Sequence, residues 1–248
     1  MLVLTFDLKK AKRRMTVLSL ALAVIVAFCG VASAVSRIYR RNEYEKEVSA
    51  EPFKKLIVID AGHGGEDCGA IGVTGVLEKD LNLDVAFNVG RLLQDEGYLV
   101  VYTRSEDKLL YAPDEDVKGI RKISDLKNRC KIAESYPDAV FVSIHMNSFG
   151  DSRYSGLQVY YSENNEGSER LASSVQAKVC ELVQKENKRN VKAGSGLYLL
   201  ENISGEAILV ECGFLTNEEE CKKLSEKEYQ NALSFAIVCG IIEYVENN

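Results

Sequence analysis

From residue 55 to the C-terminus, short apolar runs that stop at glycine or a charged residue alternate with segments whose apolar residues recur at helical spacing. Leu56–Ile59, Leu99–Tyr102, Ala139–Ile144, Leu157–Tyr161 and Ala207–Val210 read as strands. Between them, Leu81, Val85, Val89, Leu92 and Leu93 mark a helix that stops at Gly97, and Ile123, Leu126, Cys130 and Ala133 mark another. Leu171, Val175, Val179 and Leu182 give a third. Ser225-x-x-Glu228 has the form of a capping box and opens a last helix that turns Tyr229, Leu233, Ala236, Ile237, Ile241 and Tyr244 inward. Residues 105–120 read as a charged loop. Such alternation restricts the body to a layered α/β domain with a largely parallel sheet.

The 248 residues, 46% of them hydrophobic, suffice for one sizeable domain and would cramp a second. The net charge of −6 is uneven: residues 1–35 carry +4, so −10 falls on the remaining 213. A body that acidic is a poor binder of polyanions, which argues against nucleic acid as the main partner.

The N-terminus sets the compartment. Lys9, Lys10, Lys12, Arg13 and Arg14 precede an uncharged apolar run of 21 residues, Met15 to Val35, long enough to span a bilayer. The basic residues before the run outnumber Arg37, Arg40 and Arg41 after it, which favours an N-terminus that stays inside. Ala32-Ser33-Ala34 also has the form of a signal-peptidase site. The run is therefore a signal-anchor, the favoured reading, or a cleaved signal, and both export the body, anchored to the cytoplasmic membrane or secreted. The expected organisation is a cytoplasmic basic segment 1–14, a signal-anchor or signal peptide 15–36, a linker 37–54 and a catalytic domain 55–248. Of the seven cysteines, none forms a Cys-x-x-Cys pair, so neither a zinc ribbon nor a thioredoxin-type site is indicated. Four of the six beyond the apolar run sit in helix or strand patterns, where a buried free thiol is expected.

The chain has two histidines, and both fall at strand ends. His63 follows the strand Leu56–Ile59, His145 directly follows Ala139–Ile144, and Glu211 directly follows Ala207–Val210. In a parallel sheet all three lie at the carboxyl edge, where open α/β folds place their sites. Glu78 stands in the loop entering the first long helix and can fold back over that edge. Two imidazoles and two carboxylates suit a hydrolytic zinc site: three protein ligands from His and carboxylate, an open position for water, and a further carboxylate to move the proton. Cys68 is a rival ligand five residues after His63. Cys212 alternates to the face opposite Glu211 and reads as core. No His-Glu-x-x-His helix, Gly-x-Ser-x-Gly elbow or P-loop is present.

Five motifs in order carry a resemblance. Asp60-Ala61-Gly62-His63-Gly64-Gly65-Glu66-Asp67-Cys68-Gly69-Ala70, Glu78-Lys79-Asp80-Leu81-Asn82-Leu83, Thr103-Arg104, Ser143-Ile144-His145-Met146-Asn147 and Leu209-Val210-Glu211-Cys212-Gly213-Phe214-Leu215-Thr216-Asn217 together resemble the zinc-dependent N-acetylmuramoyl-L-alanine amidases of the amidase_3 type. The resemblance covers residues 55–246. It implies a single α/β domain with a twisted, largely parallel sheet of about six strands and helices on both faces. It implies Zn²⁺ held by His63, Glu78 and His145, with Glu211 as the catalytic glutamate and Arg104 and Asn147 as substrate contacts. The implied reaction hydrolyses the amide between the lactyl group of N-acetylmuramic acid and L-Ala of the peptidoglycan stem peptide. Ala61 and Cys68 stand where the family often has proline, departures at loop positions. A membrane segment joined to a bare catalytic domain, together with Gly119 to Glu134 and Gly196 to Ile203, is similar to the sporulation subgroup, the germination-specific amidases of the spore cortex. That subgroup implies muramic-δ-lactam formation, a muramic acid deacetylase acting afterwards, and an activating protein as a partner to look for. Two alternatives stand beside this reading: a zinc peptidase or carboxypeptidase cutting within the stem peptide, and a non-catalytic wall-binding protein.

Overall fold

A computed structural model describes residues 30, 33–37, 54–111, 113–117 and 120–248. The basic segment 1–14, the apolar segment 15–36 and the linker 37–54 fall almost entirely outside these residues. Among the described residues no helix is long and apolar enough to cross a membrane. The chain divides after Pro52, and the fold and the site belong to Phe53–Asn248.

In chain order the elements are β1 (Leu56–Ala61), α1 (Glu78–Asp95), β2 (Leu99–Tyr102), a 3₁₀ turn (Pro113–Glu115), α2 (Arg121–Glu134), β3 (Val140–Asn147), β4 (Gln158–Tyr161), α3 (Gly167–Leu182), β5 (Lys192–Ala193), α4 (Tyr198–Asn202), β6 (Ala207–Phe214), α5 (Glu218–Leu224) and α6 (Lys227–Glu246). The sheet has six strands in the order β2-β1-β3-β6-β4-β5. β2, β1, β3 and β6 are mutually parallel, so the side chains at their carboxyl ends share one edge. The central strands are buried on both faces, which explains why they read as unbroken apolar runs. Ile57, Ile59, Val142, Ile144, Val210 and Cys212 face the core under α1, α3 and α6. Val58, Phe141 and Leu209 face the smaller core under α2 and α4. The expected architecture, with helices on both faces, is the one observed.

The structure departs from the sequence reading in four places. β4 runs antiparallel to β6, because the ten-residue return from Asn147 to Gln158 carries no crossover helix. β3 and β6 each extend further than the apolar runs that predict them. His145 and Glu211 therefore sit within strands, directly paired in register, rather than just beyond them. Each extension is sustained by the other, since Asn147 still pairs with Phe214 past a register shift. The Ser225-x-x-Glu228 capping box does not form: Ser225 Oγ donates 2.8 Å back to Cys221 O, and α6 starts at Lys227 without a side-chain cap. The short elements β5, α4 and α5 carry no periodicity to read. α5 is instead announced by its cap, Asn217, whose side chain accepts the Glu220 N–H at 2.9 Å.

Beneath the site edge lies a buried ionic knot. Asp60, at 0% exposure, accepts from Thr103 Oγ1, Ser143 Oγ and Arg129 Nη1, each at 2.6 Å. Arg129, at 1% exposure, also donates to Asp125 Oδ2 at 2.8 Å, to Ala61 O at 2.7 Å and to His63 O at 2.7 Å. Burial by itself opposes ionisation of Asp60. The Arg129 charge and the two hydroxyls outweigh it and hold that carboxyl below its ordinary range. One guanidinium thus ties α2 to β1 and to the loop that bears His63. Removing it leaves a buried carboxylate uncompensated. Arg129→Met should cost about 3–5 kcal/mol. At about 2–4 °C per kcal/mol for a domain of this size, Tm should fall by about 10 °C in a thermal melt. A Tm unchanged within about 2 °C would show that the knot is not a keystone of the fold.

Candidate metal centre and its surroundings

The site is assembled by β1, the start of α1, β3 and β6. After Ala61 the chain turns sharply. Gly62 N donates to Ile144 O at 3.0 Å, and a Cβ on Gly62 would lie 2.1 Å from His145 Nε2, so only glycine fits against that ring. His63 takes φ 61°, the one non-glycine residue in the left-handed region among those described. That conformation is costly for a residue with a Cβ, and the Arg129 hydrogen bond to His63 O holds it in place. A second tight contact lies at Gly69, φ +65°, where a Cβ would meet Glu78 Oε2 at 2.5 Å and His63 Cδ2 at 2.8 Å.

Glu78 is the first residue of α1, where a carboxylate is favoured by the helix dipole. Its Oε1 lies 3.2 Å from His63 Nε2 and 3.0 Å from His145 Nδ1, and accepts from Met146 N at 3.2 Å. Its Oε2 accepts from Ala70 N at 2.8 Å. Burial opposes the Glu78 charge, but the two imidazoles and these contacts hold its carboxyl far below the usual range. His63, Glu78 and His145 each offer one ligand atom, all within 4.8 Å of one another. The sequence placed these three together, and the structure brings them together. Cys68, the rival, turns its thiol to Gly69 O at 3.4 Å and is not among the converging donors.

Asp67 joins the site from outside the set to which the sequence points. Its Oδ2 lies 2.9 Å from His63 Nδ1 and 3.1 Å from Lys122 Nζ. A carboxylate on the far nitrogen of a metal-facing imidazole fixes the ring and the tautomer, leaving Nε2 as the donor atom. The only sequence signal was the His63-x-x-x-Asp67 spacing inside a glycine-rich loop. Burial works against charging His63, yet Asp67 and Glu78 together push its pKa up to about 9 in the metal-free protein.

Glu211 is the other carboxylate. It pairs in register with His145 across β3 and β6, so both side chains lie on the same face. Its Oε2 is shut from solvent and has no hydrogen-bond partner. Burial pushes its pKa up to about 7, against the opposing effect of the two imidazoles and with a smaller rise from Glu78. Arg104 occupies a different role from the substrate contact expected of it. At 2% exposure its guanidinium donates to Ala61 O at 2.8 Å, Gly62 O at 3.0 Å, Lys79 O at 2.8 Å and Glu106 O at 3.1 Å. With its donors spent on loop carbonyls, Arg104 is a scaffold for the histidine loop.

Metal binding to this set should be coupled to protons. Below about pH 9 the metal-free His63 carries a proton that any metal must displace. Zinc uptake at pH 7 should therefore release protons, seen in calorimetry as a heat that changes with buffer ionisation enthalpy. Affinity should rise with pH up to about 9. His63→Ala and His145→Ala should each remove stoichiometric zinc, and Asp67→Asn should weaken it by about 10- to 100-fold in chelator competition. Full zinc retention in both alanine variants would contradict the ligand set.

With this geometry in place, comparison with known proteins gives a single answer. Residues 57–243 match the family model described as N-acetylmuramoyl-L-alanine amidase, Amidase_3. The chain is 36% identical over 208 residues to the germination-specific N-acetylmuramoyl-L-alanine amidase of Bacillus subtilis, covering 83% of this chain and 86% of that protein. The structure of the CwlD amidase from Clostridioides difficile, in complex with the GerS lipoprotein, superposes with TM-score 0.75 at 37% identity, covering 79% of this chain and all of that one. The amidase AmiC2 of Nostoc punctiforme superposes with TM-score 0.66 at 34% identity over 77% of this chain and 97% of its own. The chain belongs to the N-acetylmuramoyl-L-alanine amidase family of the Amidase_3 type and is an enzyme of that activity.

Proposed function

We propose that the chain hydrolyses the amide joining the lactyl group of N-acetylmuramic acid to L-Ala of the stem peptide, with zinc held by His63, Glu78 and His145 and Glu211 moving the proton. The observation that carries this reading is the contrast between two neighbouring carboxylates. Glu78 is enclosed by both imidazoles and kept ionised, as a ligand must be. Glu211 stands beside them with an unpartnered buried oxygen and a pKa pushed up to about 7, as a proton carrier should. Two imidazoles and one carboxylate within 4.8 Å fit a hydrolytic zinc and leave a position open. Zinc bound there would supply Lewis acidity towards the lactyl carbonyl and the attacking water.

The chain's own residues do the rest. Glu211 takes a proton from the attacking water and returns it to the leaving amide nitrogen. Asp67 holds the His63 ring, and Arg129 and Arg104 hold the loop that carries it. Asn147, two residues beyond His145, spends Oδ1 on Ser148 N at 2.8 Å and offers its amide N–H groups to substrate. The body acts outside the cytoplasmic membrane, anchored by residues 15–36. The germination-specific relative supports a role in the spore cortex, and in this reading a muramic acid deacetylase acts on the stripped product. The lipoprotein in the CwlD structure supports a lipoprotein as a partner of this chain.

Digestion of purified peptidoglycan with the zinc-loaded protein tests the bond cut. Mass analysis should show free peptides that begin with L-Ala and glycan carrying lactyl carboxylates. Cuts within the stem peptide would instead make the protein a peptidase. Glu211→Gln keeps size and polarity but removes the proton acceptor. It should lower turnover by about 10²- to 10⁴-fold while zinc content and Tm stay at wild-type values. Near-wild-type turnover in a folded, zinc-loaded variant would rule out Glu211 as the base.

A further inference from the structure

The rim of the site beyond Glu211 holds an arginine that the metal centre does not use. Arg189 lies in the segment between α3 and β5. Its guanidinium carbon sits 4.7 Å from the ring centroid of Phe214, the last residue of β6, and 5.6 Å from that of Tyr154. Its Nε donates to Ser155 O at 2.8 Å, and Nη1 reaches Gln158 Oε1 at 3.5 Å. These contacts fix the plane of the group. Among the described residues no carboxylate forms an ion pair with Arg189, and its Nη2 has no hydrogen-bond partner.

The register places this group beside the chemistry. Gln158 is the direct partner of Glu211 across the antiparallel β4–β6 pair, so both side chains project from the same face. Glu211 in turn pairs with His145. Arg189 is therefore one side chain beyond the proposed proton carrier, on the side away from His63. Arg189 also lines a cavity of about 790 Å³ together with Ser155, Asn187, Glu219, Glu220 and Tyr229. Phe149 and Tyr154, stacked edge to face at 4.8 Å and both exposed, wall the approach from the loop after β3.

A guanidinium packed against two aromatic rings and hydrogen-bonded through Nε, with one edge unpaired, is preorganised for a planar anion. We propose that Arg189 binds a free carboxylate on the peptide half of the substrate, anchoring the stem peptide while its amide lies at the metal centre. This rests on the amidase reading above. In that substrate the lactyl carboxyl is locked in the scissile amide, so the carboxylate available to Arg189 belongs to a residue after L-Ala. The enzyme should accordingly discriminate between stem peptides whose carboxylates are free and those in which they are capped as carboxamides.

The test uses two muramyl peptides that differ only in whether the residue after L-Ala carries a free carboxylate or its carboxamide. With the zinc-loaded wild-type protein, kcat/KM should favour the free acid by about 10- to 100-fold, the range for hydrogen bonds to a charged group, expressed mainly in KM. Arg189→Met should bring that ratio close to one, and Arg189→Lys should restore part of it, because the charge returns without the fork. A purely structural role would lower activity on both substrates alike and leave the ratio where it was. Equal wild-type kcat/KM on the two substrates, or a ratio unchanged in Arg189→Met, would overturn the anchor while leaving the amidase reading intact. Failure of the wild type to cut the lactyl–L-Ala bond in either substrate would instead overturn the amidase reading, and the anchor with it.

Discussion

The buried pair of Asp60 and Arg129 is the interaction on which the site depends. Neither charge reaches solvent, and each is matched by further hydrogen bonds, as a buried ion pair requires. Its consequence is positional. The same guanidinium that neutralises Asp60 reaches the carbonyls of Ala61 and His63, and Arg104 reaches those of Ala61 and Gly62 from the other side. Three consecutive carbonyls are thus satisfied by two arginines, with Asn82 Nδ2 adding a further donor at Gly62 O. His63 can then keep a left-handed backbone and aim Nε2 at Glu78. A loop this short, held this way, positions a ligand with the precision of a secondary-structure element.

Around that loop, one carboxylate acts as hub and another is kept apart. Glu78 gathers both imidazoles and two backbone N–H groups on its two oxygens. Glu211 is held nearby by strand register alone and receives no such stabilisation. Opposite environments push the two carboxyls in opposite directions. That is the arrangement expected where one group must ligate and its neighbour must exchange a proton. The glycines at 62 and 69 are a steric condition for it, since a side chain at either would occupy the space of a ring or a carboxylate.

Much of this was legible in the sequence because it rests on pattern. The strands of the parallel core are apolar on both faces, so their runs announce themselves, and two histidines and Glu211 at their carboxyl ends declare an edge site. The ends of β3 and β6 were less legible, because His145, Asn147 and Glu211 are polar residues kept in strand by mutual pairing across the sheet. Ser225-x-x-Glu228 matched a local rule but lost to packing: the serine hydroxyl closes the helix before it instead of capping the helix after it. Arg104 reads as a substrate contact only through the Thr103-Arg104 motif of the resemblance, which does not reveal that a tight loop supplies enough carbonyls to bury it. Asp67 and Arg189 stayed hidden for a related reason. Their roles arise from contacts with His63 and with Phe214 and Tyr154 that no periodicity encodes.

The proposed chemistry requires above all a zinc ion bound by two histidines and one glutamate, with the second glutamate left off the metal. Anomalous X-ray diffraction at the zinc edge, from crystals of the zinc-loaded protein, tests it directly. The predicted result is one peak about 2.0–2.2 Å from His63 Nε2, His145 Nδ1 and a Glu78 carboxylate oxygen, with Glu211 outside bonding distance. A peak ligated by Cys68 or Glu211, or none among these residues, would contradict it.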